Sequence, residues 1–437
     1  MKTLIKALDI AAFFVFAILF AVCVLAVMGV SALLGKRRFK PGMPVNRFSF
    51  AICDLISNKY DGMFEDLFLD DYINEDHYIY FDYANGHDRF EILNERVFFH
   101  SLAAHPDNAI YKAGFCRVSM LLVELKALGI AFGTIWRSNI TFVKSHDPHL
   151  LGLNALIMAR LFRLPYVLHL NSDFDMKYKG LGKTSSPIFF SRGLERFFER
   201  IIMRAANLIM ADRNLYRNSP YFPFSCTGKY RAFGVRVAER HYAAVSSRKD
   251  RRKELGIEGK KALFYVGRLH PVKYPEDAIR AMALVKKAVS NAVLVMAGDG
   301  PMKEELKTTA NFMGLGDSVL FLGSRNNDEL TDLFYTADVL LAPHGGVTLL
   351  EAALASTPIV AYDFDWHPEF IENGKMGYIV PFRDIDELAR KAIAILTNES
   401  LRNDMRAYCR RYAESRYPRR YSIENEKKIY DELIGIL

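Results

Sequence analysis

Ala262-Leu263-Phe264-Tyr265-Val266-Gly267-Arg268-Leu269 reads as a buried strand cut off by a turn. Five apolar residues in succession stop at a glycine, and a helix follows from near Pro275. A short run without polar alternation, closed by a turn signal, suits a strand covered on both faces. The pattern returns downstream. Ala292 to Ala297 ends in Gly298-Asp299-Gly300-Pro301, and Ser318 to Leu322 stops at Gly323. Asp338 to Ala342 stops at Pro343-His344-Gly345-Gly346, and Pro358 to Tyr362 at Asp363-Phe364-Asp365. Amphipathic helices fill the intervals, which predicts a parallel, doubly wound α/β sheet over residues 258–415. Ligands of such sheets bind beyond the carboxyl ends of the strands, where the Gly, Arg, Lys and Glu residues of these loops would gather.

Upstream, residues 45–245 read as a first domain of the same class. Strands are expected at Ser49–Leu55 and Tyr78–Tyr83, with a loop at Gly62 and a long amphipathic helix near Ile110–Leu128. The pattern then sharpens into strand Ile140–Val143, helix Leu151–Phe162 and strand Tyr166–Leu170. The loops that follow carry Ser145-His146-Asp147-Pro148 and Asn171-Ser172-Asp173-Phe174-Asp175, expected to face the same cleft as the second domain's loops. Asp147 and Asp173 equally fit caps for the next helices. Across Pro187–Ala206, Arg192, Arg196, Arg200 and Arg204 recur every four residues and form one stripe on a helix. Phe190, Leu194, Phe197, Ile201 and Ala205 take the opposite side. That predicts a surface helix with its apolar side buried and its arginines solvated, beside Glu195 and Glu199. The alternative is a helix that leans on a membrane or meets a phosphate-bearing acceptor. Lys249 to Lys253 reads as the solvated face of a short helix. Helices at 399–415 and 420–436 close the chain, separated by Tyr417-Pro418.

The 437 residues suffice for an anchor and two domains. A net charge of +8 favours an anionic partner. No nucleic-acid motif or row of stacking aromatics is present, so that anion is read as lipid or phosphate. The five cysteines, Cys23, Cys53, Cys116, Cys226 and Cys409, form no CxxC pair and fit free thiols in a reducing compartment. Residues 10–34 carry no charge. As a helix they would span roughly 37 Å, enough to cross a bilayer, and they are too long for the apolar core of a signal peptide. Lys36, Arg37, Arg38 and Lys40 follow at once, a basic flank that keeps the C-terminal bulk cytoplasmic. The sequons Asn139-Ile140-Thr141 and Asn398-Glu399-Ser400 are then coincidental.

Chemistry enters with the loop residues. Arg268 and Lys273 straddle a strand-to-helix turn and suit one diphosphate: Arg offers a planar fork, Lys a point charge. Backbone N–H groups of the next helix would add to the anion site. Cleaving a sugar from a nucleotide diphosphate loads negative charge on the leaving group, which fixed cations or a metal must meet. Asp363-Phe364-Asp365 has a metal-binding spacing but ends a strand inside this domain, and a metal-free site is favoured. Glu351 lies among leucines and alanines, and a buried carboxylate needs partners; vicinal ribose hydroxyls would supply two. The plainer alternatives are a solvent-facing turn for the cations and an ordinary helical glutamate. A dinucleotide fingerprint is excluded, because Lys303 stands where its third glycine belongs.

Val266-Gly267-Arg268-Leu269 with Lys273, Ala297-Gly298-Asp299-Gly300-Pro301, and Leu349-Leu350-Glu351-Ala352 continuing to Thr357-Pro358-Ile359-Val360-Ala361 resemble, in order and spacing, the family-four retaining glycosyltransferases of GT-B fold. The resemblance covers about residues 258–400, with a weaker echo at Asp147 and residues 166–175. It implies two Rossmann-like doubly wound domains facing a cleft, preceded here by one N-terminal transmembrane helix. The parts would be a 10–34 anchor, a 45–245 acceptor domain, a 258–415 donor domain and a 420–437 helix returning to the first domain. It implies Arg268, Lys273 and Asp173 as catalytic residues, and Gly267, Gly298, Gly300, Gly323, His344, Gly345, Gly346, Leu350 and Glu351 as donor-binding residues, Glu351 holding the ribose. Asp147 and Asn171 would stand on the acceptor side. Transfer would proceed with retention, without metal or cofactor, from a nucleotide-sugar donor to a lipid-linked or envelope glycan acceptor at the membrane. Two positions depart from the family pattern: Pro343 stands where the first of two paired glutamates is usual, and Asn171 where a histidine is common. A non-catalytic subunit of a glycan-assembly complex is the competing reading.

Overall fold

A computed structural model describes residues 4, 8–12, 14–15, 44–51, 72–82, 87–93, 95–103, 109–172, 174–175, 178, 182, 184, 191–219 and 222–435. Most of the apolar segment 10–34, and Asp173, fall outside the described residues. The chain divides into two compact units. The first holds residues up to Phe233 and takes back Asn425–Leu437, while the second contains Gly234–Glu424.

The first unit is an eight-stranded sheet: β1 (Val45–Ala51), β2 (Ile73–Asp82), β3 (Arg89–Leu93), β4 (Val97–Ala103), β5 (Phe142–Ser145), β6 (Tyr166–Leu170), β7 (Leu208–Ala211) and β8 (Tyr230–Ala232). Their spatial order is β3-β4-β2-β1-β5-β6-β7-β8. Only the β3–β4 pair is antiparallel. Against the sheet lie α1 (Cys116–Arg137), α2 (Leu150–Phe162) and α3 (Arg192–Ala205). Phe48, Phe50, Val143 and Leu168 share a buried cluster with Ala127 and Ala131 of α1 and Ala155 of α2. These alanines bring the helix backbones close to the bulky strand residues, as dense packing requires. Among the described residues α1 is the one helix long and apolar enough to cross a membrane, yet it turns Leu121, Val123, Ala127, Leu128, Ala131 and Ile135 into the core.

Two expectations are reversed by packing. On α3 the charged residues Arg192, Glu195 and Glu199 are buried, while Leu194, Phe197 and Ile201 are exposed, Phe197 by 59%. Burial is tolerable because the charges satisfy one another. Arg192 donates to Asp175 at 3.0 Å and to Glu195 at 2.8 Å, and Arg196 donates to Asp175 at 2.7 Å. Glu199 takes both Arg192 and His149, whose Nε2 lies 2.7 Å away. The basic run at 249–253 is likewise no solvated helix but a series of turns. Arg251 donates to Asp332 at 3.0 Å and 2.6 Å, and Arg252 to Asp338 at 3.0 Å.

The second unit is a six-stranded, wholly parallel sheet: β9 (Lys261–Val266), β10 (Ala292–Ala297), β11 (Val319–Gly323), β12 (Val339–Ala342), β13 (Ile359–Tyr362) and β14 (Gly377–Val380). Its helices are α4 (Pro275–Ala288), α5 (Lys303–Phe312), α6 (Asn327–Thr336), α7 (Thr348–Leu354), α8 (Ile385–Thr397) and α9 (Glu399–Arg416). Ala262, Leu263 and Phe264 are fully buried, as a central strand covered by helices on both faces requires. A capping box starts α6, with Asn326 accepting from the Glu329 N–H at 2.8 Å and Glu329 accepting from that of Asn326 at 3.2 Å.

The last helix, α10 (Arg419–Gly435), supplies Glu426 and Tyr430 to a buried polar network in the first unit. Lys144 on β5 donates to the Tyr430 hydroxyl at 2.9 Å, and that hydroxyl donates to Glu426 at 2.8 Å. Arg47 on β1 donates to Tyr430 at 3.2 Å and to Asp76 on β2 at 2.9 Å. Two cations and two carboxylates thus balance inside the fold, which is the condition under which buried charge is tolerated.

Candidate functional site

From β9 the second sheet steps outward through β10 to β11, then resumes on the other side of β9 with β12, β13 and β14. The reversal lies between β9 and β12, and ligands of parallel α/β sheets bind at the carboxyl edge beyond such a reversal. The loops at that point are 267–274 and 343–347, and the structure brings them together. His344 Nδ1 lies 2.6 Å from the Val272 carbonyl and its Nε2 lies 3.2 Å from the Asp365 carboxylate. Both neighbours are acceptors, so the ring donates to both only when both nitrogens carry a proton. Phe364 packs edge-on against this ring at 5.0 Å. Asp365, the second aspartate of the metal-like spacing, is therefore engaged by His344, and Asp363 is exposed.

Lys273 ends a 3₁₀ turn, Pro271–Lys273, which His270 closes by accepting the Val272 N–H at 3.3 Å. Its ammonium lies 3.9 Å from where a Cβ on Gly346 would stand, directly before α7. Arg268 is exposed and forms no ion pair among the described residues. The Tyr265 hydroxyl donates to the Arg268 carbonyl at 3.1 Å, and backbone bonds hold the loop to β10: Gly267 N–H donates to Ala297 O at 3.0 Å and Leu269 N–H to Asp299 O at 2.9 Å. This continuation of the β9–β10 ladder explains Gly298 and Gly300. A Cβ on Gly298 would lie 1.9 Å from the Gly267 carbonyl oxygen, and one on Gly300 would lie 2.4 Å from that of Leu269. Gly323 adopts a left-handed φ of 72° and accepts the Gly298 N–H at 2.8 Å. These three glycines shape the turn that presents Arg268. A Cβ on Gly345 would sit 2.4 Å from Cδ2 of Leu349, so the buried leucine would have to shift, and the Gly345 carbonyl accepts from Trp366 Nε1 at 3.3 Å.

The start of α4 does not add the expected anion site. Pro275 has no N–H, and Glu276 and Asp277 occupy the first turn, where their own charge meets the helix dipole.

Glu351 sits in α7, where it and Leu349, Leu350, Ala352 and Ala353 are all buried. No donor reaches its carboxylate within hydrogen-bonding distance among the described residues. His241 Nε2 lies 3.6 Å from its Oε1. Burial pushes the carboxyl up to about 7. Burial and then Arg248 and Arg240 push His241 down to about 3. His241 escaped the sequence reading because it lies in a short 3₁₀ turn, Glu239–Tyr242, outside any motif. Leu350 is fully buried.

In the first unit, Asp147 accepts the His149 N–H at 2.8 Å and so closes the turn before α2, and Asn171 is exposed. His149, Glu195 and Glu199 offer ligand-type atoms within 4.8 Å of one another, a grouping with metal-binding composition. Arg192 lies among them and donates to both glutamates, so the cationic position is filled by a guanidinium.

Two parallel-sheet α/β units of this design define the GT-B class. Anabaena HepE in complex with UDP superposes with a TM-score of 0.66 over 90% of this chain and 100% of that one, at 16% identity. A sucrose-phosphate synthase of Thermosynechococcus elongatus reaches 0.72 over 90% and 100%, at 15% identity. At such identities the likeness concerns the fold. Residues 246–413 match the model of the family Glycosyl transferases group 1. Among curated relatives, a GDP-mannose-dependent alpha-(1-6)-phosphatidylinositol monomannoside mannosyltransferase of Mycobacterium tuberculosis is 29% identical over 35% of this chain and 42% of its own length. The alpha-D-kanosaminyltransferase of Streptomyces kanamyceticus is 26% identical over 57% and 66%. The chain thus spans under two thirds of the length of these relatives.

Proposed function

We propose that this protein is a glycosyltransferase of the retaining type, taking its sugar from a nucleoside-diphosphate donor bound by the second unit. One observation carries the reading: at the reversal of the sheet, Lys273 stands against the glycine start of α7, and Glu351 on that helix is a buried carboxylate lacking a hydrogen-bond donor. Arg268 and Lys273 meet the diphosphate as it takes up charge, doing the work a metal would otherwise do. Glu351 receives the ribose hydroxyls. His344 stands beside the sugar, next to Pro343 at the place of the family's usual first glutamate.

For the acceptor we propose a lipid-linked or envelope glycan at a membrane anchored through residues 10–34, with the domains on the cytoplasmic side. The outward face of α3 supports this, since it offers Leu194, Phe197 and Ile201 beside Arg200 and Arg204, the mix that suits an anionic lipid surface. Relatives named as mannosyltransferases of phosphatidylinositol monomannoside and of phosphatidyl-myo-inositol point the same way.

The test is titration of the purified protein with UDP-, GDP- and ADP-sugars, reading binding and slow donor hydrolysis. Arg268→Ala and Lys273→Ala are each expected to lower transfer at least about tenfold, ~1.4 kcal/mol of barrier. Unchanged turnover in both removes the phosphate-clamp assignment. Indifference of the wild type to every donor favours a non-catalytic assembly subunit, the reading that Pro343 suggests.

A further inference from the structure

Proton accounting around Glu351 leads beyond this. Thr331 on α6 has one hydroxyl proton, and its oxygen lies 2.8 Å from the Asn327 carbonyl, a distance that requires the proton between them. The same oxygen lies 3.2 Å from His241 Nδ1. Having spent its proton, Thr331 can only accept, so Nδ1 of His241 carries a hydrogen. In the neutral ring Nε2 is then a bare lone pair. That nitrogen has no hydrogen-bond partner, is completely buried, and points at Glu351 Oε1 across 3.6 Å. Two acceptors facing each other in a buried pocket repel unless one proton lies between them.

The surroundings decide where that proton sits. Arg248 donates to the His241 carbonyl at 2.6 Å, and Arg410 of α9 donates to the Leu354 carbonyl at the end of α7 at 2.7 Å and to that of Tyr242 at 3.2 Å. Arg240 is paired with Asp328 of α6 at 2.7 Å, and Asp332 of α6 with Arg251. Strand β13 brings no charged side chain. None of these groups pairs with Glu351 among the described residues, while the arginines beside His241 oppose a charged ring. The proton therefore resides on the carboxyl.

We propose that His241 is a positioning residue for Glu351: fixed by Thr331 as the Nδ1–H tautomer, it shares one proton with Glu351 in the empty site, and that proton is released to solvent when the hydroxyls of a ribose take its place. The proposal rests on the reading of Glu351 as the ribose acceptor. It makes donor binding a proton-releasing step and aims the carboxylate through a residue that does not itself touch the ligand.

The experiment is calorimetric titration of the full chain with UDP and with GDP, in buffers of different ionisation enthalpy, between pH 6 and pH 8. Glu351 ionises at about 7, so the wild type is expected to release about half a proton at pH 7 and nearly one at pH 6. The nucleotide's own terminal phosphate titrates near pH 6, and variants subtract its contribution. Thr331→Val frees His241 to take the other tautomer and donate to an ionised Glu351. His241→Gln places an amide donor at the same point. Both are expected to bind nucleotide with the pH-dependent release reduced to that of the phosphate alone. Release equal to the wild type in both variants overturns the proposal, as does no release beyond the phosphate in the wild type. Glu351→Ala and the 2′-deoxy nucleotides test the underlying reading separately. If neither weakens binding, the ribose assignment fails; if both do while release is absent, only the role of His241 fails.

Discussion

Glu351 shows how a binding residue sets a limit on stability. Its carboxyl is raised by burial, to about 7, so the folded chain holds a proton that the unfolded chain has lost. Stability conferred around this residue therefore falls as pH climbs from the ordinary glutamate range to about 7, and is level above that. Glu351→Gln carries no charge and escapes the loss. In thermal melts without nucleotide it is expected to exceed the wild type at pH 8, with the margin closing towards pH 5; a wild type that melts higher at pH 8 contradicts the buried-acid account. The sequence disclosed Glu351 through its apolar neighbours. It did not disclose His241, which lies far away along the chain and in no pattern, and which only the packing of its 3₁₀ turn on α6 and α7 brings near. Gly298 and Gly300 were legible as special positions, but their reason was not: they relieve backbone contacts with residues 267 and 269.

Among elements, the contrast between β9 and α3 is instructive. The five strands expected between residues 258 and 365 stand within two residues of their places, because a doubly covered strand is apolar throughout and its ends carry glycine or proline. Strand β14, with glycine first, gave too little pattern, and β3, β4, β7 and β8 went unread. On α3, periodicity located the helix and the solvated Arg200 and Arg204, but put Arg192 outside and Leu194, Phe197 and Ile201 inside. Hydrophobicity favours burying Phe197, but Asp175 and the helix's own glutamates are the partners of Arg192, with His149 on Glu199, and only tertiary contact reveals Asp175 and His149. The outward apolar residues then become available to a lipid surface. Phe197→Ser with Ile201→Ser is expected to reduce flotation of a protein lacking residues 1–40 with anionic vesicles several-fold, leaving its thermal stability nearly unchanged because both side chains are exposed. Undiminished flotation rejects that role.

For the molecule as a whole, the first unit depends on residues that lie at the far end of the chain. Removing one partner of a buried ion pair costs about 3–5 kcal/mol, so Glu426→Ala is expected to destabilise the first unit by that order in denaturant. Hydrogen exchange should accelerate most in β5, whose Lys144 loses its carboxylate, and less in β1, whose Arg47 keeps Asp76. Exchange that stays slow there counts against the network. The same arrangement bears on biosynthesis. A ribosome delivers Arg47 and Lys144 nearly four hundred and three hundred residues, respectively, before Tyr430 and Glu426 emerge. The half made first must therefore hold Lys144 without its carboxylate, and Arg47 with Asp76 alone, until Glu426 has been made.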